Sequence, residues 1–88
     1  MQPGLTARER AMLGFEQSWW LSPAPKEQAV REQFLLTEAE YSDLLDVLID
    51  TDAALHEQPL LVRRLRRLRE RRRRTHLDRR TADQEIAR

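Results

Sequence analysis

Apolar side chains along this chain recur at spacings of three and four, the helical period, and no stretch reads as a strand. Thr6-Ala7-Arg8-Glu9 has the form of a capping box, in which the threonine hydroxyl accepts from the amide three residues on and the glutamate reaches back. The helix it opens sets Met12, Phe15 and Trp19 on one stripe, with Leu13 and Trp20 on its flank. Ser22-Pro23-Ala24-Pro25 ends that helix, because proline removes a donor and disfavours a helical residue before it. Pro25 suits the first position of a short second helix to about Phe34, with Ala29, Val30 and Phe34 as its apolar contacts. A second capping box, Thr37-Glu38-Ala39-Glu40, opens the best-patterned helix, which carries Tyr41, Leu44, Leu45 and Leu48 on one face and Ile49 beside them. Asp50-Thr51-Asp52 reads as a break or cap, Ala53 to His56 as a turn of helix, and Pro59 as the start of the last helix.

That last helix has a divided character. Leu61, Leu65 and Leu68 form an apolar stripe, but the same angular position then carries Arg72, Thr75 and Arg79. Residues 60–69 are therefore expected to dock on the body, while residues 70–80 project beyond it. Four successive arginines, 71 to 74, repel one another along an isolated helix, so the free part is expected to fray until an anion neutralises it. The pattern predicts an all-α fold, a small bundle of four to five helices with a projecting Arg-rich C-terminal helix. Residues 1–5 read as a flexible N-terminus, 6–69 as the helical domain, and 70–88 as a basic extension with a frayed tail.

Composition sharpens this picture. The chain of 88 residues is one domain with a thin core and has no cysteine, which removes disulfides and thiolate metal sites. His56 and His76 stand apart from any partner at ligand spacing, so no metal is expected. The apolar runs fall short of the ~20 residues that span a bilayer, and the N-terminus lacks the order of a signal peptide. A cytoplasmic protein without membrane contact is the expectation. The formal net charge of +1 conceals a strong polarity. Residues 1–62 hold four basic and eleven acidic side chains, a balance of −7, whereas residues 63–80 hold eleven arginines against Glu70 and Asp78, a balance of +9.

The second and third helices, joined by about three residues and followed by a threonine cap, have the pattern of a helix-turn-helix, with Val30, Phe34, Leu36, Thr37, Tyr41 and Leu44 at its core and cap offsets. Arg8 to Glu16, Trp19-Trp20, Lys26 to Phe34, Tyr41 to Asp50 and Leu61 to Arg69 together resemble a family of small actinobacterial proteins catalogued as a domain of unknown function, DUF3263, over roughly residues 5–74. More distantly, residues 5–49 resemble the helix-turn-helix of sigma-factor region 4. The resemblance implies a helical, intracellular protein linked to DNA or transcription, with no established activity. Two features depart from the helix-turn-helix pattern. Arg31 stands where a small residue is usual, and Leu35 takes the turn position usually given to glycine, so a turn of different shape is expected. From Glu38 to Asp52 there are six acids and no base, and a helix so charged would be repelled by phosphates.

Phosphate contact therefore falls to the arginine helix: Arg63, Arg64, Arg66, Arg67, Arg69, Arg71, Arg72, Arg73 and Arg74. Guanidinium groups pair bidentately with phosphate, and a helix with only Glu70 to dilute this charge is more than a solvated face. The expected function is a nucleic-acid-binding module associated with transcription or the nucleoid, DNA being favoured over RNA. The alternative is a protein-interaction module that docks on RNA polymerase or another transcription protein through an acidic face of Asp43, Asp46 and Asp50. A third possibility folds the arm onto that acidic face, in the same chain or in a homodimer. Trp19 and Trp20 read as core aromatics more than as stacking platforms, with Trp20 the more open. No enzyme and no cofactor are expected: Gly4 and Gly14 make no phosphate loop, no nucleophile has a base beside it, and the carboxylates read as spread over helix surfaces.

Overall fold

Three threonines set where helices begin. In the computed structural model, which describes residues 4–86 and, within the last helix, the side chains to Thr75 and that of Leu77, each caps the amide three residues on. Thr6 opens α1 (Ala7–Ser18), Thr37 opens α3 (Glu38–Leu48) and Thr51 opens α4 (Asp52–Glu57). The first two form the full capping box, with Glu9 and Glu40 accepting from the threonine amides at 2.8 and 3.1 Å. Between α1 and α3 lie a 3₁₀ turn (Trp19–Leu21) and α2 (Lys26–Phe34), which begins immediately after Pro25, and α5 runs from Pro59 to Ile86. The protein is all-α, with five helices and no strand among the described residues.

The core is the one the helical spacing marks out. Met12, Leu13 and Phe15 from α1, Val30 from α2, and Tyr41, Leu45, Leu48 and Ile49 at α3 are buried together with Ala54 of α4 and Leu61, Val62 and Leu65 of α5. Phe15 stands edge-on to both Phe34 and Tyr41, with ring centroids 5.6 and 5.7 Å apart, which joins the first three helices through one aromatic cluster. Leu5, placed by the sequence in the N-terminal tail, is also buried in this core. Arg10 reaches Glu57 at 3.0 Å and ties the outside of α1 to α4, an exposed pair that adds little to stability.

The turn between α2 and α3 corrects one expectation. Leu35 does not deform the turn; it adopts the left-handed conformation itself, φ 58° and ψ 34°, and closes α2 as a glycine would. Its side chain is 86% exposed, so no packing offsets the crowding of its Cβ. Leu35→Gly should therefore stabilise the fold by about 0.5–1 kcal/mol, the relief of strain exceeding the added chain entropy. Urea denaturation checks this, and a lower midpoint for the glycine variant would contradict it. Arg31, the other departure, points to water and pairs along the helix with Glu27 at 3.6 Å, so it does not disturb the α2–α3 contact.

The arginine-rich segment continues the docked helix. α5 is a continuous helix of 28 residues that runs from the docked segment through residues 70–80. The docked first turns supply the nucleus, so each further residue needs only propagation, and arginine is among the better helix formers.

Candidate nucleic-acid interface

At 100° per residue the arginines of α5 divide into two groups. Arg66 and Arg69 flank the Leu61–Leu65 stripe and face the body. Arg66 Nε donates to the Ile49 carbonyl at 2.7 Å, and Arg69 Nη1 donates to the Asp46 carbonyl at 3.1 Å. Arg69 also grips the Asp50 carboxylate with both terminal nitrogens, at 2.8 and 3.1 Å, and its side chain is only 17% exposed. The physical reason lies at the end of α3, whose last carbonyls lack intrahelical partners and carry the negative end of the helix dipole. There Leu45 O, Val47 O and Leu48 O accept from the amides of Ile49, Asp50 and Thr51, and the two arginines take the carbonyls of Asp46 and Ile49. Hydrogen bonding by Arg69 holds the Asp50 carboxyl below its ordinary range. A depressed folded value means that this tie is fully present above the ordinary carboxylate range and is lost only as the pH falls below it.

The second group faces solvent. Arg63, Arg64, Arg67, Arg71 and Arg74 fall within an arc of about 100° on the side of α5 away from the core. Arg63, Arg67 and Arg71, and Arg72 beyond Leu68, have no hydrogen-bond or ion-pair partner among the described residues. Arg74 has only a 3.8 Å surface pair with Glu70, and Arg64 lies over the ring of Trp20 at 5.7 Å. Arg73 is exposed and lies within electrostatic reach of Asp50. Of the nine arginines assigned to phosphate, then, two are already committed to the end of α3. Of the three acids assigned to a partner face, Asp43 is exposed and open, Asp46 is half-buried with its carbonyl engaged, and Asp50 is held by Arg69.

One cluster escaped the reading of the sequence. The carboxylates are not all on the surface: Glu16 of α1 is 4% exposed. Its Oε2 accepts the Tyr41 hydroxyl at 2.7 Å, and Lys26 Nζ, the chain's one lysine, lies 3.2 Å from each of its oxygens. Lys26 also lies over the Trp19 ring at 5.0 Å. Burial and the hydrogen bond to Glu16 push the Tyr41 hydroxyl well above the ordinary phenol range, so it remains a donor. A signal was present, since Met12, Phe15, Glu16 and Trp19 have the i, i+3, i+4, i+7 spacing of a core face. The cluster borders a cavity of about 610 Å³ between α3 and α5, where Tyr41, Leu45 and Leu65 lie at the base and Ser42, Asp46, Arg71 and Arg72 on opposite walls. Among the described residues no three His, Cys, Asp or Glu side chains come together as a metal site. No helix among them is long and apolar enough to cross a membrane.

Fold and site define a small all-α protein that presents an arginine-rich helix from a more acidic body. The chain belongs to the family described as a protein of unknown function, DUF3263, whose model matches residues 4–77. No curated protein and no solved structure matches the chain.

Proposed function

We propose that this protein is a nucleic-acid-binding module that contacts phosphates through the solvent-facing arginines of α5. The observation that carries this reading is the stripe of Arg63, Arg64, Arg67, Arg71 and Arg74, which spans about 16 Å of helix and is left over after Arg66 and Arg69 have served the fold. Exposed guanidinium groups along one face, with Glu70 the acid among residues 63–75, release counterions when they meet a phosphate backbone. Such contacts carry no base information, so affinity precedes sequence preference. With about five phosphates neutralised on duplex DNA, log K should fall against log salt with a slope near −4.5. Binding that is indifferent to salt would defeat the proposal.

This reading places the protein in the cytoplasm of an actinobacterium, acting in transcription or on the nucleoid. The distant likeness of residues 5–49 to sigma-factor region 4 supports a transcriptional setting. A second reading, docking on a transcription protein, is favoured by Val47 of α3, which is exposed between Asp43 on the same helix and Asp50 in the turn after it. An apolar side chain framed by acids suits a basic protein surface with a small apolar contact. A partner retained after nuclease treatment and lost on Val47→Lys would support that reading; loss of all partners under nuclease would remove it.

A further inference from the structure

The arginine stripe does not stand alone on its side of the molecule. The 3₁₀ turn after α1 brings Trp19 and Trp20 against α5, and the two rings meet edge-on with centroids 6.3 Å apart. Trp20 is 51% exposed, which is more than a core aromatic in a thin-cored domain should surrender. Three concavities follow one another along this edge. The first lies between Trp20, Arg64 and Arg67, and the second between Trp20, Trp19, Arg64 and Leu68. The third is the 610 Å³ cavity, which Trp19 and Leu68 also line and where Arg71 and Arg72 stand. Because each shares residues with the next, they adjoin along one edge as a track lined by the two indole rings and by the guanidinium groups of Arg64, Arg67, Arg71 and Arg72.

Stacking surfaces interleaved with cations are the chemistry of an unpaired strand: each base has a π-face, and each step has a phosphate. We infer that this track binds single-stranded nucleic acid, with a base taking the place of Arg64 over the Trp20 ring, a following base toward Trp19 and Leu68, and their phosphates on the released Arg64 and on Arg67, Arg71 and Arg72. From Arg64 to Arg72 the helix rises about 12 Å, room for roughly two to four nucleotides depending on how far the strand stretches beyond its ~3.4 Å stacked spacing. The charges of the cavity walls set the orientation. Phosphates face Arg71 and Arg72 of α5, while base edges face Glu38, Ser42 and Asp46 of α3, whose oxygens accept from amino groups. The acids that would repel a phosphate thus become acceptors for a base. A duplex cannot use this track, because its bases are stacked inside; it meets only the arginine stripe.

This inference rests on the proposed function, and the probes keep the two separable. The full chain is titrated with a short single strand of mixed sequence, with the same sequence as a duplex, and with an abasic strand of equal length. Binding and tryptophan emission are read together, since Trp19 and Trp20 are the chain's two indoles. The base-bearing strand should bind most tightly and quench the emission, whereas the abasic strand and the duplex should bind more weakly with little quenching. Trp20→Ala should weaken the base-bearing strand about tenfold and leave the duplex unchanged, and Trp20→Phe should restore most of the loss. Equal binding of base-bearing and abasic strands, or equal loss of strand and duplex in Trp20→Ala, overturns the stacking track but leaves the phosphate reading intact. Failure of all three probes to bind overturns both. Because Trp20 is half exposed, its variants are expected to unfold at the native midpoint, and a lowered midpoint would show instead that the ring is a packing residue.

Discussion

Lys26→Met should cost the fold about 3 kcal/mol, a large loss for a side chain that reaches solvent. The reason is the residue left behind. Glu16 is buried, and without Lys26 its carboxylate would keep only the Tyr41 hydroxyl as a close donor. An ionised carboxylate with one neutral partner in a core is far worse than a lost ion pair at the surface. Glu16→Gln should cost less, since the amide still accepts from Tyr41 and the partly exposed Lys26 can turn to water. Replacing both partners with apolar residues of similar size, Glu16→Leu with Lys26→Met, should recover most of the single-variant loss, because no unpaired charge then remains. Urea denaturation of the four proteins checks the whole cycle. A double variant as unstable as Lys26→Met would mean that the network acts through shape, not through charge.

The arginine stripe carries the largest expected effect on binding. Changing Arg63, Arg67, Arg71 and Arg74 to glutamine should lower affinity for duplex DNA about a thousandfold at ~0.1 M salt, with the slope of log K against log salt falling by about 3.6. All four side chains are exposed, so the variant should keep its fold. Arg66→Gln with Arg69→Gln should behave in the opposite way. These two hold the end of α3, so their loss should lower the unfolding midpoint and leave the salt slope nearly unchanged. If the two sets of arginines exchanged places in this comparison, the division of α5 would be wrong. If neither set altered binding, phosphate contact by α5 would be excluded.

The contrast between these two arginine sets shows where sequence reading succeeds and where it stops. The leucine stripe of α5 is local, and spacing alone predicts that Leu61 and Leu65 face the body. Spacing also marks Leu68 as the last apolar contact, and in the fold Leu68 is already 43% exposed at the mouth of the cavity. What spacing cannot supply is the role of Arg66 and Arg69, because their acceptors are backbone carbonyls 17 and 23 residues away. Every helix has such unpaired carbonyls at its end, so the sequence around Asp46 and Ile49 holds no mark of which arginine will reach them. Between the basic helix and the acidic segment, Arg69 pairs with Asp50. That pair lies at the root of the arm, and among the described residues Arg63, Arg67, Arg71 and Arg72 have no ion-pair partner.

The local chemistry of the chain determined the helices themselves. Thr6 and Thr37 with their partner glutamates, the prolines at the starts of α2 and α5, and the apolar period between them act over three or four residues, within reach of any reading of order. The polarity of charge, −7 followed by +9, is equally a property of the sequence. The tertiary structure decided how those pieces are used. It drew Glu16 from an apparent surface position into the core because Lys26 and Tyr41, from two other helices, converge there to satisfy it. It set Leu35 in a conformation that its own side chain disfavours, because the packing of α2 on α3 outweighs the roughly 1–2 kcal/mol of strain. And it sorted the arginines into those that cap α3 and those that face solvent, a distinction made by distance in space between residues far apart in the chain.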